Sequence, residues 1–218
     1  MPRGVTYYIS LILSGLFHPL LIPFYALFLL VFAVSESGDA NRYLMSNALS
    51  ITIRITWIWT LVVPVCILLG LRLMGRISSL RMEEQSDRTL PYFLCSVCYI
   101  VWCVLLWKGR VPIEWLLTAM GGTMALMTVA AVNHHWMISA HATGVGALTG
   151  SVLSYAVSTG VFSWTFFLSV AVIAILVMCA RLRLGRHTPA QVTAGWMTGL
   201  LWTMLPVYIY TLTVLKDV

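Results

Sequence analysis

Charged side chains are scarce in this chain. Asp and Glu number seven and Lys and Arg thirteen among 218 residues, 9% in all. A soluble domain of this length carries about 25% charged residues to face water, so a soluble globular fold is excluded. A long basic run is also missing, and with it the electrostatic footprint of a nucleic-acid binder; the net charge of +6 lies in short segments that suit anionic lipid head groups. The chain has no internal repeat, no low-complexity tail and no soluble domain. Its five cysteines, Cys66, Cys95, Cys98, Cys103 and Cys179, all fall inside apolar runs and read as packing residues. Cys95-x2-Cys98 has metal-ligand spacing, but no second pair or nearby His completes a site. No acidic residue lies well inside an apolar run. This weighs against a transporter relaying protons through His18, His134 and His135, of which His18 alone is deep in a run.

Apolar residues make up 60% of the chain and the mean hydropathy is +0.92. Runs of about 20 apolar residues, enough to cross roughly 30 Å of hydrocarbon, recur at 7–34, 52–74, 90–107, 112–132, 142–159, 162–180 and 190–212. They are continuous rather than alternating, which favours helices over a barrel. The expectation is an all-α integral membrane bundle of six to seven transmembrane helices with its active site at one membrane face. Residues 1–75 form N-terminal membrane helices and 76–218 a core carrying the polar segments, within one membrane domain. Run 142–159 is rich in Gly and Ser, and only "KGRV" separates 90–107 from 112–132, so that pair is a tight hairpin or partly re-entrant. His18-Pro19 and Pro23 predict a kink in the first run. That run is too long for a signal-peptide core and lacks a small-x-small cleavage site, so it reads as a membrane anchor.

Polar material is concentrated in three islands. "RISSLRMEEQSDRTLP" (76–91) follows the second span, "NHHWMISAHATG" (133–144) the fourth, and "ARLRLGRHTPAQVTAG" (180–195) the sixth. Two spans separate successive islands, so all three emerge on the same membrane face and one composite site is possible. Arg81 and Arg88 are two helical turns apart and share a face, as an anion clamp or as an ion-pair ladder with Glu84. Ser139 is a good N-cap for the Gly-rich helix that follows, and His141 stands in its first turn, where an anion is favoured. Thr188, Pro189 and Gln191 form a capping box just behind His187. Gly146 with Gly150, and Gly195 with Gly199, carry the spacing of close helix packing.

Together the islands resemble the signature of the type-2 phosphatidic acid phosphatase superfamily, membrane lipid phosphatases related to vanadium haloperoxidases. That signature reads Lys-x6-Arg-Pro, Pro-Ser-Gly-His and Ser-Arg-x5-His-x3-Asp. "RMEEQSDR" supplies Arg81-x6-Arg88, "ISAH" supplies Ser139 and His141, and "ARLRLGRHTPAQ" supplies Arg181-x5-His187-x3-Gln191. The resemblance covers residues 76–199. It implies a helical bundle that hydrolyses a lipid phosphomonoester or diphosphate with neither metal nor cofactor. His187 would be the nucleophile that becomes phosphorylated. His141 would be the acid for the departing alcohol and then the base for water, with Arg81, Arg88, Arg181 and Ser139 on the phosphoryl oxygens. The implied partners are membrane lipids and an isoprenoid, glycerolipid or lipid A phosphate, with no nucleic acid. The family's bacterial members imply an inner membrane and a site on its extracytoplasmic face.

Four positions depart from the signature. Arg81 replaces Lys, the Pro after Arg88 is displaced to Pro91, Ala140 replaces Gly, and Gln191 replaces the Asp that would orient His187. In serine-protease triads, exchanging the orienting acid for its amide costs about 10⁴ in turnover. A catalytically weakened or inactive lipid-phosphate binding or transport protein is therefore the alternative. Arg183 and Arg186 could meet a second phosphate or anchor the chain at the lipid surface.

Overall fold

Proline decides where the first two membrane segments bend. The computed structural model describes residues 4–34, 47–80, 82 and 84–216. α1 (Val5–Leu16) ends ahead of His18, whose Nδ1 accepts the Leu20 N–H at 3.3 Å and so caps a single 3-10 turn, Pro19–Leu21. α2 (Ile22–Val34) follows with Pro23 in its first turn, where a missing N–H costs no helical bond. The kink expected at these prolines is thus present. In the second segment α3 (Asn47–Trp57) and α4 (Val63–Leu73) are joined by a π-helical stretch, Ile58–Val62. Pro64 cannot donate to the carbonyl four residues back, and the helix widens there.

α5 (Ser86–Lys108) and α6 (Ile113–Asn133) form the tight hairpin rather than a re-entrant pair. Arg110 turns the chain at φ +51° and Pro112 caps α6. α7 (Ala140–Thr159) stops at Gly160, whose φ of +70° ends the helix in the left-handed conformation that glycine adopts without strain. α8 (Trp164–Arg183) and α9 (Pro189–Lys216) follow, and the described residues contain no strand.

Six segments are long and apolar enough to cross a membrane: Val5–Val31, Ala48–Leu73, Ser86–Lys108, Ile113–Asn133, Trp164–Arg183 and Pro189–Val214. The chain is an all-α membrane bundle. α7 has the length but falls short of that apolarity, and it packs against α2, α6, α8 and α9. Three of its buried hydroxyls are satisfied from within: Thr143, Thr149 and Ser151 each donate to the carbonyl four residues back at 2.8–3.0 Å, while Ser154 donates across to the Thr203 carbonyl of α9 at 2.9 Å. The α7–α9 contact is backbone on backbone. A Cβ on Gly146 would strike the Trp196 carbonyl, and one on Gly199 the Thr143 carbonyl. The packing expected of these glycines and of Gly150 and Gly195 is the packing found.

The N-terminal helices share the core of the rest. Ile22 packs with Val145 and Leu148 of α7, and Leu27 and Leu30 join Trp102 of α5 and Trp115 of α6 in a second buried cluster. This brings the kink at His18 to the α7 N-terminus.

Candidate functional site

All three polar islands meet at one end of the bundle. Gln85 of the first and Asn133 of the second bond reciprocally: the Gln85 amide donates to the Asn133 carbonyl, and Asn133 Nδ2 donates to the Gln85 carbonyl at 3.0 Å. Asn133 is fully buried. The second island joins the third where the Ser139 N–H donates to the Gln191 carbonyl at 3.3 Å and the His187 ring meets the Met137 carbonyl.

Beneath this junction lies a cavity of about 480 Å³. Arg88, Arg181, Arg186, His18, His141 and His187 line its polar end, and none of the described residues lining it is acidic. Arg88, buried at the start of α5, donates from Nε to the Met82 carbonyl at 2.7 Å. Met82 is held at φ +45°, an uncommon conformation for a side-chain-bearing residue. Arg181, in the last turn of α8, donates from Nη1 to the Ser14 hydroxyl at 3.4 Å, while its Nε is buried and makes no hydrogen bond. A guanidinium with a buried N–H that no protein group accepts, on a cationic cavity, suits an anionic ligand.

His141 and His187 are each held in a defined tautomer by a carbonyl oxygen, which can only accept. His187, 9% exposed, places Nδ1 3.2 Å from the Met137 oxygen, so its proton sits on Nδ1 and Nε2 keeps a lone pair. His141 places Nε2 3.1 Å from the Ser14 oxygen, so the neutral ring carries its lone pair on Nδ1. Burial, Arg181 and Arg88, in that order, lower the His187 pKa to about 4; the Met137 carbonyl and the Gln191 side chain pull the other way. At pH 7 on the order of one His187 ring in a thousand is then protonated.

The other expected residues fare differently. Arg81 lies outside the described residues. Ser139 is fully buried, caps α7 by accepting the Ala142 N–H at 3.4 Å, and does not line the cavity. Gln191 completes the capping box: its Oε1 accepts the Thr188 N–H at 3.0 Å, and Thr188 Oγ1 accepts the Gln191 N–H at 3.3 Å. Arg183 is exposed and reaches the Thr6 hydroxyl, whereas Arg186 lines the cavity. His134 and His135 are exposed and stack edge-on against each other, and Cys95 and Cys98 find no third ligand among the described residues.

Three participants lie outside the sequence motifs. Ser14 binds both His141 and Arg181, His18 packs edge-on against His141 with ring centres 5.5 Å apart, and Met137 orients His187. His18 was marked in the sequence as a lone His next to Pro19 deep in an apolar run. Met137 acts through its backbone, which no side-chain pattern reveals. Comparison with protein-family models, with curated proteins and with solved structures finds no match to this chain.

Proposed function

We propose that the protein is a membrane lipid phosphatase of the type-2 phosphatidic acid phosphatase kind, hydrolysing a lipid phosphomonoester or diphosphate through a phosphorylated His187. One observation supports the reading: Arg88, Arg181, His141 and His187 converge on one cavity with no acidic residue among the described residues lining it, and His187 is neutral with its Nδ1 held by the Met137 carbonyl. Phosphoryl transfer asks chiefly for positioning and for neutralisation of spread negative charge, and forked guanidiniums meet both demands. His187 Nε2 attacks phosphorus, the P–O bond to the lipid breaks, and the departing oxygen takes a proton from His141 Nδ1. Water then attacks the phosphorus as His141 Nδ1 takes its proton, and the P–N bond breaks to release phosphate. His141 must therefore enter the first step protonated, which the bound phosphate dianion favours.

The purified protein is expected to release phosphate from lipid phosphates in the presence of chelator and to be inhibited by vanadate. His187→Ala is expected to abolish release; full activity in that variant overturns the mechanism. The same reading assigns the site to the extracytoplasmic face of a bacterial inner membrane, checked by cysteine accessibility of the His134 loop in a background without native cysteines. A binding protein of the same fold is the second reading, favoured by the engagement of Gln191 Oε1 in its helix cap. A phospho-enzyme trapped on His187 in the wild type excludes it.

A further inference from the structure

The cavity continues far below the phosphate site. On α5 its lining follows one helical stripe, Arg88, Tyr92, Cys95, Tyr99, Trp102 and Leu106. Arg88 and Leu106 are 18 residues apart, which at 1.5 Å per residue is about 27 Å, nearly the thickness of a bilayer's hydrocarbon core. Its far end is walled by Leu106, Val111 and Trp115 at the α5–α6 hairpin, each less than a tenth exposed. Hydroxyls along the way turn their polarity inward. Thr118 donates to Glu114, Thr143 to Ser139, Ser151 to Ala147 and Thr203 to Gly199, all to helix carbonyls at 2.8–3.0 Å. What faces the cavity below its polar end is therefore mostly hydrocarbon, a lining that suits an apolar group.

Width follows from volume. An apolar cavity of about 150 Å³ accommodates one benzene, so about 480 Å³ takes roughly three times as many carbons, on the order of 18. That number, laid out over about 27 Å, makes one extended chain and leaves no room for a second.

Resting on the phosphatase reading above, we propose that this cavity seats the tail of a single-chain lipid phosphate. The phosphate lies at Arg88, Arg181 and His187, and the chain end rests against Trp102, Leu106 and Trp115. Alkyl and isoprenoid phosphates share that chemistry. Lipid is as apolar as the cavity, so selection operates by shape: a second chain, or a chain far longer than the cavity, must remain outside.

Gly122 of α6 provides the probe. It lines the cavity, and a Cβ added there meets nothing within 4 Å, so a larger side chain at this position starts into open space. In mixed micelles, hexadecyl and farnesyl phosphates are expected to show kcat/KM at least about tenfold above those of phosphatidic acid and undecaprenyl phosphate. Gly122→Phe is expected to lower the ratio of hexadecyl to butyl phosphate kcat/KM by roughly tenfold or more. Using a ratio removes any general loss of folded protein. Equal kcat/KM for one-chain and two-chain substrates, or an unchanged ratio in Gly122→Phe, overturns the proposal. Equilibrium binding of hexadecyl phosphate separates the two ideas. Binding that Gly122→Phe blocks, with no phosphate released from any substrate including butyl phosphate, removes the phosphatase reading and retains the tail site. Release from butyl phosphate with equal binding to wild type and Gly122→Phe removes the tail site alone.

Discussion

His187 titrates against its surroundings. Its folded pKa is about 4, below the 6.5 of an unperturbed histidine, because the ring is buried beside Arg181 and Arg88. As pH falls through 6.5 the unfolded chain takes up a proton that the folded protein refuses. Folding stability from this group is therefore intact above 6.5 and is lost progressively between 6.5 and about 4. A ring-nitrogen NMR titration of the free protein is expected to give a His187 midpoint near 4, rising toward 6.5 in Arg181→Gln as one of its causes is removed. Gln191 is the second residue whose role can be weighed. Its Oε1 is occupied by the Thr188 N–H, and the Nδ1 proton of His187 has the Met137 carbonyl as acceptor. Gln191→Ala is expected to cost about 0.5–2 kcal/mol of stability through the cap. Its turnover should fall far less than the roughly 10⁴ lost when a triad's acid becomes an amide. A loss of phosphate release as deep as in His187→Ala would return the orienting role to Gln191. The spacing of the islands marked Arg88, Arg181, His141 and His187, all of which reach the cavity. Ser139 and Gln191 each had a capping role open in the sequence, and each performs it. Ser14 escaped because its bonds to His141 and Arg181 span 127 and 167 residues, a separation no local pattern encodes.

Helix ends and helix faces differ in how far sequence exposes them. His18-Pro19, Pro23 and the capping box act within four residues, so the kink after α1 and the start of α9 were readable. The glycine pairs of α7 and α9 were readable too, because four-residue spacing puts both members on one face. Adjacent glycines are not. Gly121 and Gly122 stand side by side on α6, yet a Cβ on Gly121 would strike the Trp202 carbonyl of α9 while one on Gly122 meets open space. Only the packed partner distinguishes them. Gly121→Ala is expected to lower stability by about 1–3 kcal/mol or more, because the collision is with backbone that cannot rotate away. Gly122→Ala is expected to be neutral or stabilising by up to about 1 kcal/mol through helix propensity. Melting temperatures of the two variants in detergent check the contrast; equal losses would place α6 in a different register on α9.

For the molecule as a whole, the membrane class followed from scarcity of charge, and the joining of the islands followed from counting spans between them. The seventh helix was harder to judge, since Gly and Ser in 142–159 make a span look doubtful. Those residues suit α7 because it is packed among other helices: small side chains admit α9 at backbone contact, and hydroxyls bond their own helix or, from Ser154, the Thr203 carbonyl of α9. This has a consequence for biosynthesis. A nascent helix passes into the bilayer according to its own apolarity, and α7 falls below the level its six companions reach. The two helices that follow it, α8 and α9, both cover it in the finished bundle. Until α8 and α9 are made, α7 has only the earlier helices, chiefly α2 and α6, to cover it, and the backbone contact with α9 then completes its burial. His187 follows α8 in the chain, so His141, at the first turn of α7, meets it only after α8 has been made.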